Sequence, residues 1–548
     1  MPSGIIYITL VPQPETNKGH LSARGVPEYH MRRSAGHAFI FVVCLASCAL
    51  LGAAPTPSPI SVPATDQTPR ATTRPKPIPT PKLTPPPATA GANTPDGIIG
   101  PLERNRKTNP SALARYVASQ DPALAARAVL ALGRLRNPAA IPMVVAVLAD
   151  PARPSVVRQM AAFSLGLLGT RQSTTPLINA TRDADPAVAA LACDALGRFA
   201  GDAAVGPLTI ALASRDAVVR RRAAIGMGEA GLPATTPALS NAARSNASHA
   251  LGATFNRESD PEVRWRLAWA IARGYYGSSA PVMRRMLGDR EELVRRFGVY
   301  GLGKLKDRAN VTAVRLLARD PSWRVRVEVR NALKALRDPT VVNVTPPPVP
   351  ASDNFLPKPV ATGAPIGDHP QIAFVTTKGT FVVELFPDQA PYQVDNYVSL
   401  VDRGFYNHTK FFRVIADFVI QGGDPTNTGN GDAGYTIPAE LNPLEQLTGV
   451  IALGLNYDSK TNTPLLDSGG SQYYLTQSPQ LHLDAAFSTF GRVVKGLAVV
   501  DAIREHDPNV QDNLSDIAVS VYRCEPVTLQ TDDVERRLRN DEIGYNPQ

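Results

Sequence analysis

The stretch FFRVIADFVIQGGD, residues 411–424, is apolar or small almost throughout until its closing Gln-Gly-Gly-Asp, yet it carries Arg413 in its middle. An arginine inside a hydrophobic strand pattern is costly to bury and easy to avoid, so this one needs a reason. The stretch reads as two short strands meeting at a bend around Ala416-Asp417. On the second strand, Val419 and Gln421 stand two apart and share a face. Working outward, IAFVTTKGTFVVELF (372–386) is two strands around a Lys-Gly turn, and APYQVDNYVSLVDRGF (390–405) is an amphipathic helix opened by proline. GVIALG, SQYYLT and STFGRVV are further short strands, followed by the helix LAVVDAIREH. Many short strands with two helices predict a closed antiparallel β-barrel capped at its ends over residues 370–528, with 529–548 as a C-terminal tail.

Upstream of a proline-rich linker, 339–369, the period is helical instead. ALGRL (131–135), SLGLLG (164–169), ALGRFAG (195–201), GMGEAG (226–231), AIARG (270–274), GLGKL (301–305) and ALKAL (332–336) align on positions 133, 166, 197, 228, 272, 303 and 334. The steps are about 31 residues save one of 44, which predicts an insertion near 245–259. A fixed period of this size marks a solenoid of stacked helix pairs, here over 101–338. Asp-Pro pairs open several helices, as in DPAVAALACDALG and DPEVRWRLAWAIA. The pattern resembles short HEAT-type repeats, so the fold class expected is an all-α HEAT-like solenoid followed by a β-barrel. That resemblance implies an interaction scaffold and leaves its protein partner unknown.

The N-terminus reads as an address. From Met31 two arginines precede an apolar run, Ala38–Ala54, giving a signal segment over 31–54; residues 1–30 lack such logic and read as lying upstream of the true start. LASC, Leu45–Cys48, resembles the lipobox of bacterial lipoproteins, which implies acylation of Cys48 and a membrane anchor. Soluble export and an uncleaved anchor are the other readings of the same residues. All three export the chain, to a membrane-anchored periplasmic or cell-surface site or to a soluble periplasmic or secreted one. Residues 55–100, rich in Pro, Thr, Ser and Ala, read as a stiffened, disordered linker.

Charge divides the chain. Residues 101–340 hold 36 Lys and Arg against 19 Asp and Glu, whereas 366–548 hold 12 against 24. The basic half, including Arg220–Arg222, Arg284, Arg285, Arg295 and Arg296, reads either as a surface for acidic partners or as solvated helix faces. An export signal argues against nucleic acid. Attraction between the basic and acidic halves across the linker is a further expectation. Four cysteines, Cys44, Cys48, Cys193 and Cys524, are too few for a disulfide framework, and no spacing suggests a metal site. Cys193 and Cys524 read as small core residues.

Residues TTKGTFVVELFPDQAPYQVDNYVSLVDRGFYNHTKFFRVIADFVIQGGD, then GVIALG, GSQYYLTQSP and HLDAAFSTFGRVVKGLAVVDAI, resemble the cyclophilins, peptidyl-prolyl cis/trans isomerases built as eight-stranded barrels with two helices. The resemblance implies a reaction without cofactor or metal on proline-containing polypeptides. Rotation about a peptide bond faces about 18–20 kcal/mol of amide resonance, and X–Pro exchange is slow. A fixed donor aimed at the imide nitrogen stabilises the twisted state, in which the nitrogen regains its lone pair. Arg413 matches the family's catalytic arginine, and Gln421 the glutamine that helps hold it. Phe418, Val419, Tyr474, Leu483 and Phe487 match the proline pocket, and Gln472 and Gly454 the groove for residues before proline. His482 lies at a position that is tryptophan or histidine in the family and reads equally well as a surface polar residue.

Departures are Phe412 for histidine, Ala416-Asp417 for Pro-Gly, Phe487 for histidine or tyrosine, and Tyr473-Tyr474 for a Phe pair that forms the aromatic wall. An insertion, roughly Tyr457–Gly469, is expected as an exposed loop beside the groove. The function implied is a peptidyl-prolyl isomerase assisting the folding of exported or envelope proteins. A non-catalytic scaffold that grips proline-containing segments is the alternative.

Overall fold

The computed structural model describes residues 83–86, 91–275, 277–361, 364–461, 463–507 and 515–529. The signal segment, Cys44, Cys48 and residues 530–548 lie outside the described residues.

The Asp-Pro pairs start helices as their chemistry dictates. Asp121, Asp185 and Asp260 are N-caps whose carboxylates accept backbone N–H groups, with Pro122, Pro186 and Pro261 at the first helical position. Seven helices carry the repeated motif: Pro122–Arg134, Ser155–Leu168, Pro186–Phe199, Ala217–Gly231, Pro261–Gly274, Glu292–Leu305 and Trp323–Ala335. They pack side by side in chain order and form the inner layer of the array. Behind them run the second helices of the repeats, among them the shorter Ile141–Ala149, Arg171–Ala180 and Asp202–Ala211 and the longer Asn241–Phe255. The motif's glycines set the helix spacing: a Cβ on Gly197 would lie 2.1 Å from the carbonyl oxygen of Gly226. The first helix, Pro95–Arg104, packs on Pro122–Arg134, so the array begins inside the stretch assigned to the linker. The long step is built by the connection 232–240 together with the fifteen-residue helix Asn241–Phe255, not by an insertion confined to 245–259.

The C-terminal domain is one curled antiparallel sheet of nine strands among the described residues: β1 (Gln371–Thr376), β2 (Gly379–Leu385), β3 (Thr409–Lys410), β4 (Arg413–Ile415), β5 (Val419–Gly422), β6 (Val450–Leu453), β7 (Tyr473–Thr476), β8 (Thr489–Lys495) and β9 (Ile517–Cys524). Their order is β3-β9-β1-β2-β8-β6-β7-β5-β4. The expected closed barrel is therefore an open sheet with β3 and β4 at its two edges. The reason is local: Phe411-Phe412 separates the two edge strands, and Val414 exchanges backbone hydrogen bonds with His506 instead (2.9 and 3.0 Å). Helix Pro391–Asp402 and a core of Phe374, Phe381, Tyr397, Tyr406, Tyr473 and Phe490 fill the hollow. Tyr397 and Tyr406 lie 4.9 Å apart, and Phe374 and Phe381 4.6 Å. Cys193 and Cys524 are free and buried, in different clusters.

The segment expected as a linker, 339–369, is strapped down at both ends. Arg326 donates to the carbonyls of Asn343 and Thr345, Val360 N–H donates to Arg523 O (2.9 Å), and Arg523 donates to Ala361 and Ala364.

The array's inner layer docks on the sheet domain through arginines. Arg134 donates to the carbonyls of Leu441 (2.7 Å) and Gln389 (3.0 Å), and Arg222 to that of Pro443 (3.0 Å). Arg222 and Arg266 share the buried carboxylate of Glu445. Arg296 pairs with Asp417, Arg324 with Asp501 (2.7 Å), and Arg330 with Glu505 (3.1 Å). A second arginine set pins each repeat to the next, as in Arg158–Asp183, Arg264–Asp289 (2.6 Å) and Arg295–Asp320 (2.7 Å). These side chains are neither solvated faces nor a free anionic-partner surface, because the chain supplies its own carboxylates.

Candidate active site

The β4–β5–β7–β6 register lines up Arg413, Gln421, Tyr474 and Ala452 as cross-strand neighbours on one face of the sheet. Arg413 is half-buried and donates from Nη1 to Gln421 Oε1 at 3.1 Å. The neighbouring row is Ile415, Val419 and Thr476, so Val419 stands beside Gln421 on the same face. That pairing answers why an arginine sits inside the apolar stretch: its guanidinium lies along the sheet face toward a fixed amide oxygen.

Beyond Gln421 the sheet face turns apolar and is buried in the same cluster as the helical array. Tyr474 meets Phe487 edge to face at 5.6 Å, and Val419, Leu483 and Phe487 are buried beside it. Phe418 is half-buried and stacks on His482 at 6.1 Å. The structure brings together the residues expected for a proline pocket, with one correction. Tyr473 points to the other side of the sheet, into the core with Tyr397 and Tyr406, so only Tyr474 of the pair contributes to the wall. Successive strand residues face opposite ways.

Gln472 donates from Nε2 to the carbonyls of Gly429 (3.1 Å) and Gly431 (2.8 Å), and its Oε1 has no protein partner. Gly454 N–H donates to Gln472 O at 2.8 Å, and a Cβ at Gly454 would lie 3.0 Å from Gln472 Cβ. Residue 454 must therefore stay small for the two to touch.

His482 is not a surface residue. It is half-buried, with Arg273 and Arg296 of the array nearby, and both ring nitrogens are enclosed and lack a protein partner. Burial, then the nearby Arg273 and Arg296, push its pKa well below the ordinary histidine value, which keeps the imidazole neutral. It is an apolar-facing plate against Phe418.

The insertion is an exposed loop, as expected: Ser459, Lys460, Thr461 and Thr463 are open to solvent. Its Leu465 side chain is exposed, but Tyr457 packs on Phe487 at 6.2 Å, Ala439 N–H donates to Leu466 O (2.6 Å), and Asp467 pairs with Arg106 of the array at 2.9 Å. The loop is anchored at its base against Phe487 and at Asp467 against the array.

Several contributors were not legible as site residues. Asp424, fully buried, accepts the N–H groups of Thr426 (2.6 Å), Thr428 (2.9 Å) and Gly429 (2.6 Å), fixing the turn whose carbonyls hold Gln472. Gln446 accepts the Tyr474 hydroxyl at 3.0 Å. Asp417 and Arg296 meet at the bend between β4 and β5. The signal for Asp417 was present as a departure at that bend; nothing in the sequence pointed to its partner. Among the described residues there is no group of three or more His, Cys, Asp or Glu placed to hold a metal ion. The arrangement offers one fixed cation beside a buried apolar wall, and that wall lies in the same hydrophobic cluster as the helical array.

Comparison with known proteins agrees with this layout. A family model described as cyclophilin-type peptidyl-prolyl cis-trans isomerase/CLD matches residues 371–525, and one described as HEAT repeats matches 109–184, 174–254 and 248–334. Peptidyl-prolyl cis-trans isomerase-like 1 of Mus musculus is 38% identical over 146 residues, 26% of this chain and 84% of that protein. A peptidyl-prolyl cis-trans isomerase of Synechococcus elongatus is 39% identical over 139 residues, 25% of this chain and 90% of that protein. Among solved structures, a cyclophilin-type isomerase of Cryptosporidium parvum is 26% identical, with a TM-score of 0.26, over 29% of this chain and 99% of that one.

Proposed function

The chain belongs, through residues 371–525, to the cyclophilin-type peptidyl-prolyl cis-trans isomerases, and from that premise we propose how its residues divide the work. Arg413 is the catalytic group. Its guanidinium is permanently charged and stiff, and it donates toward the imide nitrogen as rotation returns the lone pair to that atom. The interaction exists in the twisted state and not in the planar one, so it lowers the barrier rather than merely tightening binding. Gln421 holds Arg413 in place through the 3.1 Å hydrogen bond. Phe418, Val419, Tyr474, Leu483 and Phe487 receive the proline ring, while Gly454 and Gln472 receive the backbone before it. His482 shapes the pocket and transfers no proton.

The single observation that carries this reading is the Arg413–Gln421 pair standing on the sheet face next to the buried Val419–Tyr474–Phe487 wall. The test is isomer exchange of a proline-containing peptide, followed by NMR or a coupled assay, for wild type and Arg413→Ala. Wild type accelerates exchange, and the variant loses about 10²-fold or more, the scale of deleting one preorganised donor. Equal rates would instead leave a scaffold that grips proline-containing segments without catalysis.

The reading extends to location and partners. The Arg32-Arg33 pair, the apolar run to Ala54 and Cys48 support export, with lipid anchoring at Cys48 and a role on envelope or secreted proteins. Mass spectrometry of the mature N-terminus tests this: an acylated Cys48 supports it, and an unprocessed Met1 or Met31 overturns it. HEAT repeats suit protein interaction. Because the inner layer already holds the isomerase domain, a protein partner of the array would use its other faces.

A further inference from the structure

We propose that Arg296 is a positioning residue for isomerisation: from the repeat array it holds the bend that carries Arg413. The inference rests on Arg413 being the catalytic group.

Arg413 stands on a three-residue strand at the edge of the sheet, β4, and reaches its partner strand through the bend Ala416-Asp417-Phe418. Short edge hairpins are the least constrained parts of a sheet, whereas a donor aimed at one atom tolerates little displacement. The bend must therefore be held from outside, and Asp417 is where that occurs. It is 2% exposed, and its backbone is left-handed, φ +59°, a conformation disfavoured for residues with a Cβ. Its N–H donates to Gln477 Oε1 (3.0 Å), and its carbonyl accepts from Ser478 Oγ (2.7 Å) and Arg296 Nη2 (3.2 Å). Its carboxylate takes Arg296 Nε, completing a two-point grip on one residue.

Arg296 is itself fixed. It projects from helix Glu292–Leu305, lies over the Phe297 ring at 4.9 Å, and has Glu328 of the next inner helix at 3.7 Å. Arg324, one repeat on, donates to the backbone carbonyl of Gln477 at 3.0 Å, the residue whose side-chain oxygen accepts the Asp417 N–H. Phe418 follows Asp417 directly and stacks on His482, so a shift of the bend moves the pocket wall along with Arg413. Where the family pattern has Pro-Gly, this chain has Ala416-Asp417, which gives up the residue best suited to the left-handed position and gains a carboxylate facing the array.

The experiment compares the full chain with Arg296→Gln, Arg296→Lys, Asp417→Gly, the double variant Arg296→Gln/Asp417→Gly, and Arg266→Gln, a docking arginine that pairs with Glu445 and not with Asp417. Peptide isomerisation is resolved into kcat and KM, alongside the NMR signal of the Arg413 Nε–H. Arg296→Gln is expected to lower kcat about tenfold and to shift or broaden the Arg413 signal, while Arg266→Gln changes kcat less than twofold. In the Asp417→Gly background, where glycine suits the bend unaided, the Arg296 substitution has a smaller effect. Arg296→Lys, charged but without the two-point fork, falls between wild type and Arg296→Gln. Should Arg296→Gln fail to fold, Arg296→Lys decides by the same readouts. A folded Arg296→Gln with wild-type kcat and an unmoved Arg413 signal overturns this proposal alone, as does an equal kcat loss in Arg266→Gln. Equal rates for wild type and Arg413→Ala overturn it together with the catalytic reading.

Discussion

Glu445 is 4% exposed, lies on the sheet domain, and receives Arg222 at 3.2 Å and the fully buried Arg266 from two neighbouring repeats. Glu445→Ala removes the carboxylate and leaves both guanidiniums buried, Arg266 keeping Glu262 at 2.9 Å and Arg222 keeping Asp194 at 3.5 Å. Breaking a buried ion pair by deleting one partner costs about 3–5 kcal/mol. With a urea m-value of about 3 kcal/mol/M, that moves the unfolding midpoint down by roughly 1–1.7 M. The assay has a built-in reporter, because all three tryptophans, Trp265, Trp269 and Trp323, belong to the array while the substitution is in the other domain. Trp265 is well placed to respond, with the Arg266 guanidinium 4.0 Å above its ring. Glu505→Ala is the control: its pair with Arg330 is 3.1 Å long but partly exposed, and such pairs are worth at most about 1 kcal/mol. A tryptophan-detected midpoint that does not move in Glu445→Ala, or that moves equally in Glu505→Ala, would refute the docked arrangement.

Tyr457 of the insertion lies against Phe487, so Tyr457→Ala widens one side of the hollow without touching Arg413. A change of several-fold in KM for short proline peptides with kcat preserved is expected; an unchanged KM shows that the insertion does not bound the site. Stability also depends on pH through buried carboxyls. Burial, acting against nearby arginines, raises Glu440 to about 7, Glu229 to about 8 and Asp501 to about 6. A carboxyl whose folded pKa lies above its unfolded value contributes stability that is complete below the unfolded pKa and disappears as pH rises through the folded one. For Glu103 the balance is reversed: Arg127 and Arg134 outweigh burial and hold it at about 2, so its contribution is lost as pH falls below the ordinary carboxyl range. The urea midpoint should therefore fall between about pH 5 and pH 8 and fall again in stronger acid; a midpoint rising from pH 5 to pH 8 contradicts the assignment.

What could be read in the sequence was what repeats or alternates. The 31-residue step placed the inner helices, Asp-Pro pairs marked several of their starts, and period-2 runs gave most strands to within a residue or two, though KFFRVI (410–415) read as one strand where the structure has β3 and β4 at opposite edges. Arg413, Gln421 and the apolar wall were legible through the resemblance to the cyclophilins, and the strand register sets Arg413, Gln421 and Tyr474 in one row. Tyr473 was misassigned to the wall although alternation alone sends it to the opposite face from Tyr474. The docked interface was not legible. Arg222, Arg266 and Arg296 look the same in sequence as Arg220, Arg264 and Arg295, yet the first set reaches the sheet domain and the second set the next repeat. One or two steps around a helix decide between them, and only the partner's position reveals which face is which. His482 was ambiguous for the same reason, since what buries it lies far away in the chain.

The charge asymmetry between halves is resolved inside the molecule, and the resolution is specific rather than a general attraction. Moving along the array, Arg134 meets Gln389 and Leu441, Arg222 meets Pro443 and Glu445, Arg266 meets Glu445, Arg296 meets Asp417, Arg324 meets Asp501 and Arg330 meets Glu505. The arginines meet different features of the sheet domain, except that Arg222 and Arg266 share Glu445. A slip by one repeat would put Arg266 opposite the bend at Asp417 and Arg222 in the place of Arg266, leaving Glu445 with one arginine instead of two and Asp501 without Arg324, so buried charges would lose partners, each at a cost of a few kcal/mol. A structure that repeats along its length is poor at fixing a register by shape alone. Here the unequal placement of its arginines does so, and that register brings Arg296 to the bend carrying the catalytic strand.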